Sequence, residues 1–184
     1  MPQDYSNKVN NTIAYLDRTF EFFKKSISNS TDDLLKSHIA KYLTILTYGS
    51  YESVIKDMLR DFVDYSSKSE WLSHFANDTI DNRYQNLNFS ELRRFLGSFN
   101  KEWSERLYQK TDSLTIQCFS NITTQKNNIA HDPSKCDITF TTICDYYENS
   151  KWVIKYVGGI LDDPKGLLLW VSMIDFWNSF PEPY

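Results

Sequence analysis

Hydrophobic residues recur every three or four positions over most of the chain, which is the period of an amphipathic helix. The first stripe predicts a helix over residues 5–28, and a second, unusually long helix is predicted over 32–65 after a cap at Ser30 or Thr31. Gly49 within the second helix indicates either a kink or a close helix crossing, or is simply a tolerated helix glycine.

The pattern is interrupted over residues 66–88, where Ser, Asn and Asp are frequent but large apolar residues still occur. We predict an ordered connector there, because a free linker would not carry so many apolar side chains. Further helices are predicted over 89–108, from Asp112 or Ser113 to near His131, and over 141–160, with an earlier end at Gly158-Gly159 as the alternative for the last one. The inner face predicted for the helix that ends near His131 consists of Leu114, Cys118, Phe119, Ile122 and Ile129.

The C-terminal segment, residues 162–184, contains an apolar stretch of only about ten residues, and a bilayer-spanning helix needs about 20. No membrane span is therefore predicted. We expect this tail to pack on the helical bundle or to form part of a subunit interface. Together these elements predict an all-α fold: a single-domain helical bundle of about five main helices over residues 1–184.

The composition agrees with one ordered domain. The chain has 184 residues, of which 41% are hydrophobic, so it can bury one sizeable core but is short for two domains. A net charge of −4 argues against non-specific coating of nucleic acid, which requires many contacts from Lys and Arg to phosphate. Any contact with RNA is therefore expected to be local.

The cysteines and the N-terminal sequence point to a reducing cytoplasm. Cys118, Cys136 and Cys144 are an odd number and lack Cys-x-x-Cys spacing, and the first residues contain no apolar run. Metal and nucleotide sites are not predicted, because the three histidines lie far apart and no glycine-rich phosphate loop is present. Cys136 lies near His131, but we interpret it as an incidental thiol.

The run from Thr123 to Pro133 (TTQKNNIAHDP) carries the candidate chemistry. Pro133 cannot continue a helix, so His131 is expected in the last helical turn. The negative end of the helix dipole favours a protonated imidazole there, which suits proton transfer. The alternative is a histidine that only complements the helix dipole.

Helical spacing places several polar groups of this run together. Asn127 and His131 are four residues apart, or about 40° around the helix, so both project from one face. Lys126 lies beside them and is either part of the same site or a solvated surface lysine. Ala130 is small enough for a second helix to approach closely.

This run resembles the motif of HEPN domains, in which an arginine precedes a histidine, typically as Arg-Asn-x-x-Ala-His. The match holds at Asn127, Ala130 and His131, with an apolar residue at Ile129, and the sequence differs at Lys126. Lysine keeps the positive charge of arginine but lacks the planar fork that grips phosphate through two donors.

The resemblance extends to roughly residues 10–160. A helix with Tyr51 and Glu52, a Phe-rich helix near Phe95 and Phe99, and a closing helix after the motif resemble the RiboL-PSP-type HEPN branch in order and spacing. Many HEPN proteins are metal-independent ribonucleases that act as dimers, with the arginine and histidine of both subunits facing one RNA-binding cleft. The resemblance implies no cofactor and no metal.

It also implies roles for individual residues. His131 and Lys126 would be catalytic, Asn127 and Asn128 would support them, and Ala130 would allow close approach of the second subunit. Glu52 would hold Lys126 or His131 in place. The alternative for Glu52 is an exposed ion pair with Lys56, four residues later on the same helix.

Two functions follow from these expectations. The first is an endoribonuclease acting as a toxin or as a stress or antiviral defence effector, with RNA as substrate, a homodimeric state and a cognate antitoxin or defence-system partner. The second is a non-catalytic HEPN module that binds a partner protein, a nucleotide or RNA. The change of arginine to Lys126 motivates the second.

Overall fold

The computed structural model describes residues 4–67, 69–83 and 87–163, and the chain in this part is helical, without strands. The all-α prediction is therefore confirmed. Seven α-helices are described: α1 (Tyr5–Ile27), α2 (Asp33–Ser66), α3 (Glu70–Arg83), α4 (Phe89–Phe99), α5 (Lys101–Lys110), α6 (Ser113–His131) and α7 (Phe140–Leu161). A short 3₁₀ turn, Pro133–Lys135, follows α6.

The structure contains more helices than the five predicted. The single helix predicted over 89–108 is divided at Asn100, which adopts an extended backbone conformation and accepts a hydrogen bond from the backbone N–H of Glu102 at 2.9 Å. A side chain that caps a helix start in this way also ends the preceding helix. The predicted connector 66–88 is ordered mainly as α3.

Polar side chains fix the starts of most helices by accepting a hydrogen bond from the first helical turn. The cap of α2 is Asp32, which accepts from the N–H of Leu35, rather than Ser30 or Thr31 as predicted. Residues of the same kind cap α1, α4, α6 and α7: Asp4, Asn88, Asp112 and Thr139.

The core lies where α7 packs against α1, α2, α5 and α6. Its largest fully buried side chains include Trp103, Tyr51, Tyr147 and Phe62. Leu114, which was predicted on the inner face of α6, is 54% exposed, so that prediction is wrong. Leu114 lies in the first turn of α6, where Thr115 is the buried residue instead.

Two helical glycines, Gly158 and Gly49, differ in how closely other helices approach them. A Cβ atom built at Gly158 would lie 3.0 Å from Val9 Cγ2, so α1 and α7 approach closely there, and α7 continues past this residue to Leu161. A Cβ atom at Gly49 would meet no atom within 4 Å, which removes the close-crossing interpretation at that position. The predicted C-terminal tail lies outside the described residues from position 164 onward.

None of the described helices combines the length and the apolar character that crossing a membrane requires.

Candidate functional site

The end of α6 is built as the sequence predicted. The last helical residue is His131, and the backbone N–H of Asp132 still donates to the carbonyl of Asn128 at 2.8 Å. Pro133 then begins the 3₁₀ turn. Lys41 Nζ on α2 donates to the Pro133 carbonyl at 3.0 Å, so α2 is attached to the chain immediately after the motif.

Lys126 does not extend freely into solvent. Its side chain is half-buried, and its Nζ lies 4.6 Å from the centre of the Tyr48 ring on α2, a cation–π distance. The ammonium also lies 3.4 Å from Asn127 Oδ1. No ion pair in the described part of the chain involves Lys126. Its positive charge is therefore held in place without being neutralised.

Tyr48 is a rigid neighbour for this charge. The residue is only 4% exposed, and its hydroxyl accepts a hydrogen bond from the backbone N–H of Leu87 at 3.1 Å. Burial raises the pKa of Tyr48 to about 12; the Leu87 N–H opposes this shift, whereas the charge of Glu52 and a hydrogen bond with it reinforce it. Tyr48 is consequently a neutral phenol at physiological pH.

Glu52 forms the ion pair that the sequence left open as an alternative. Its Oε1 lies 2.7 Å from Lys56 Nζ, and both side chains are largely shielded from solvent. Among the described residues, no hydrogen bond or ion pair joins Glu52 to Lys126 or to His131. Glu52 interacts instead with Tyr48, the residue whose ring carries the Lys126 ammonium.

The other motif residues remain accessible. His131 and Ala130 are exposed, and Asn127 and Asn128 are half-buried. Within residues 4–67, 69–83 and 87–163, the His131 imidazole forms neither a hydrogen bond nor an ion pair. Both of its ring nitrogens are thus available for an external ligand, which is the requirement for a proton-transfer group.

Sequence reasoning assigned no role in this region to three contributors: Tyr48 and Leu87, which lie outside the motif run, and Thr123, which begins it. The Thr123 hydroxyl on α6 donates to the carbonyl of Leu87, whose N–H is bound by Tyr48, so α2 and α6 hold the same peptide segment. One local signal was available. Tyr48 precedes Glu52 by four residues and therefore shares its helix face.

The donor groups present fit acid–base chemistry better than metal chemistry. The region includes the Lys126 and Lys41 ammonium groups and the His131 imidazole, and the described residues contain no group of three or more His, Cys, Asp or Glu side chains arranged to hold a metal ion. Cys136 is buried and its Sγ lies 3.4 Å from Gln125 Oε1, so the thiol contacts a neutral amide and is shielded from a substrate in solvent.

Comparison with known families assigns the fold. The family model described as RiboL-PSP-HEPN matches residues 11–163, which covers most of the chain and confirms the resemblance drawn from the motif. Searches among curated proteins and among solved structures gave no significant match.

Proposed function

The chain belongs to the RiboL-PSP-HEPN family, and we propose that it is a metal-independent endoribonuclease. The observations that carry this proposal concern two residues in the last turns of α6: the Lys126 ammonium is held against the Tyr48 ring, and the exposed His131 imidazole has no hydrogen bond or ion pair among the described residues. Among the described residues, His131 forms no hydrogen bond, and the one hydrogen bond of the Lys126 ammonium is to the adjacent Asn127 side chain. Both are therefore available to a substrate that carries phosphate and titratable hydroxyl groups.

The reaction would be transesterification at an RNA phosphate. The 2′-oxygen attacks the adjacent phosphorus, His131 accepts the 2′-hydroxyl proton, and the bond from phosphorus to the 5′-oxygen breaks. The leaving 5′-oxygen takes a proton from the second His131 of a dimer. Lys126 stabilises the negative charge that develops on the phosphorane oxygens. The products are a 2′,3′-cyclic phosphate and a 5′-hydroxyl end.

The direct test is cleavage of total RNA in EDTA by the wild type, His131→Ala and His74→Ala. A proton-transfer group contributes on the order of 10²–10⁴-fold, so His131→Ala should abolish detectable cleavage. His74 is the matched control, because it is an exposed histidine of α3, away from the motif, whose Nδ1 lies 3.3 Å from Asp78 Oδ2. Equal cleavage by the wild type and His131→Ala would refute the proposal.

A second function is favoured by a specific observation. Lys126 takes the place of the family's arginine, and its ammonium already contacts Tyr48 and Asn127. A lysine cannot bind phosphate through two parallel donors as arginine does, so this site is better suited to binding than to catalysis. The chain would then be a non-catalytic module for a partner protein, nucleotide or RNA. Lys126→Arg separates the two functions. If the wild type, His131→Ala and Lys126→Arg are all inert, binding is the better assignment.

The proposed enzyme is a homodimer, because one imidazole cannot serve as base and acid at the same time without a second proton carrier. Exposed Ala130 beside His131 offers a surface that permits close approach of a second α6. Light scattering should give about twice the 21.7 kDa of one chain. A strictly monomeric mass at micromolar concentration, together with retained cleavage, would contradict this arrangement.

The biological role proposed with this chemistry is that of a toxin or defence effector that cuts RNA when its host is stressed or infected. Such an enzyme must be restrained in unstressed cells, so a cognate antitoxin or another defence-system component is the expected partner. Expression of the wild type should arrest growth, and expression of His131→Ala should not. Arrest by both variants would show that toxicity does not arise from cleavage.

A further inference from the structure

The contacts of Lys126 leave part of its ammonium unused. A lysine ammonium has three N–H donors. One faces the Tyr48 ring at 4.6 Å, and a second is directed to Asn127 Oδ1 at 3.4 Å. No carboxylate in the described chain forms an ion pair with this group. Within the part of the chain that the structure describes, one donor and the positive charge are therefore left for an anion.

Hydrogen bonds as well as packing hold the Tyr48 side chain in place. Its hydroxyl is bound to the Leu87 N–H and to Glu52, and the Leu87 carbonyl accepts from Thr123 on α6. Thr123 lies one turn before Lys126. Tyr48 on α2 thus binds Leu87 just before α4, and Leu87 binds Thr123 on α6. Lys126, also on α6, contacts the Tyr48 ring and completes the connection.

We propose that Tyr48 is a positioning residue, whose ring orients the Lys126 ammonium so that its remaining N–H donor binds a non-bridging phosphate oxygen of RNA. This role rests on the proposed ribonuclease function for its catalytic consequence. The physical reason lies in the side chain itself. Lysine is a point charge on a flexible stem, whereas arginine is a rigid fork, so lysine needs an external surface to fix its direction.

The ring also determines what an arginine would do at this position. A guanidinium stacks flat on a tyrosine ring and keeps its edge donors free for phosphate. Lys126→Arg should therefore be tolerated because Tyr48 is present. In a chain that also carries Tyr48→Leu, the arginine should lose this support and should bind phosphate more weakly than in the single variant Lys126→Arg.

The experiment uses Tyr48→Phe, which keeps the ring, and Tyr48→Leu, which removes it. The first readout is the NMR shift of the Lys126 ε-methylene protons, which a ring at this distance moves upfield. We expect the shift in the wild type and in Tyr48→Phe, and its loss in Tyr48→Leu. Absence of the upfield shift in the wild type would overturn the inference whatever the enzyme's activity.

The second readout is binding of a short 2′-O-methyl RNA, which cannot be cleaved by transesterification. Tyr48→Leu should weaken binding by about tenfold, as expected for loss of a partly buried cation–π contact, while Tyr48→Phe stays within about twofold of the wild type. In a Lys126→Gln background, Tyr48→Leu should have no further effect, because the two changes remove one shared interaction. Additive losses would refute the positioning role.

These readouts separate the two proposals. If the wild type cleaves no RNA but Tyr48 and Lys126 are coupled in binding, the ribonuclease proposal fails and the positioning role stands. If the wild type cleaves RNA and the two residues act additively in both kcat and binding, the ribonuclease proposal stands and the positioning role fails. Circular dichroism of Tyr48→Leu checks that the helices are retained, and Tyr48→Phe keeps the test decisive if they are not.

Discussion

Among the described residues, two lysines lie over the rings of buried tyrosines, and their surroundings differ in charge. Lys151 Nζ lies 5.1 Å from the centre of the Tyr147 ring, and Lys126 Nζ lies 4.6 Å from that of Tyr48. Both tyrosines are almost completely buried. The cation–π geometry alone does not distinguish the two pairs, so the difference between them must come from the groups around each ammonium.

Lys151 is neutralised within the fold. Its Nζ lies 2.7 Å from Glu148 and 3.4 Å from Asp17, and its side chain is only 15% exposed. Burial lowers the pKa of Lys151, but hydrogen bonds and charges from Glu148 and Asp17 more than offset this, so its pKa is raised overall. Lys151 on α7 binds Asp17 on α1 and so links the two helices, and its charge is neutralised by the two carboxylates.

Lys126 has the aromatic support, but no carboxylate of the described residues forms an ion pair with it. In the described part of the chain its polar contact is with the neutral Asn127 amide. A cation that is held in place and left unneutralised can attract an anion, whereas a neutralised cation cannot. The comparison therefore teaches how to separate a structural lysine from one available for phosphate when both rest on tyrosine.

The largest expected effect comes from breaking the structural pair. Tyr147 stacks on Phe20 with ring centres 4.3 Å apart, and its hydroxyl donates to Asp17 and lies 3.2 Å from the Ile13 carbonyl. Tyr147→Ala should reduce the free energy of unfolding by about 3–5 kcal/mol, as measured for large aromatic residues removed from cores. Urea unfolding measures this loss. A loss below about 1 kcal/mol would contradict a structural role for Tyr147.

The second effect is on activity and distinguishes the two lysines directly. Lys126→Gln, which is similar in length but neutral, should lower RNA cleavage on the order of 10²-fold, the cost of removing one charge-stabilising donor. Lys151→Gln is the matched control and should stay within about twofold, because its charge is compensated inside the protein. Equal losses in the two variants would show that Lys126 has no special role.

The sequence predicted the helices whose apolar stripes face the core. It did not predict the helix break at Asn100 or the full length of α3. The stripe over 89–108 continues through Asn100, so only the capping bond to the Glu102 N–H reveals the break. The connector helix α3 was missed at its full length because only Ile80 and Ala76 pack on the core, while its two largest apolar residues face outward. Trp71 and Phe75 are 75% and 60% exposed and stack on each other.

The candidate site likewise has residues that the sequence could indicate and one that it could not. His131, Asn127 and Lys126 were identified from the sequence because their spacing on one helix is local. Tyr48 was missed because it comes from α2, and which side chain of α2 meets Lys126 depends on how α2 and α6 pack. Periodicity assigns a residue to the buried face of its helix but does not name its partner across the interface.

The smallest expected effect concerns stability and tests whether Lys126 is held for function or for folding. Lys126→Gln removes a cation–π contact with a buried ring, which contributes about 1 kcal/mol. For a domain of this size that loss lowers the melting temperature by about 2–4 °C. Lys151→Gln should lower it further, because it removes a similar contact and also leaves two carboxylates without their cation. Thermal melts of both variants by circular dichroism measure the difference. If Lys126→Gln is the less stable of the two, its ammonium is a structural partner of Tyr48, and the phosphate contact assigned to it would have to be withdrawn.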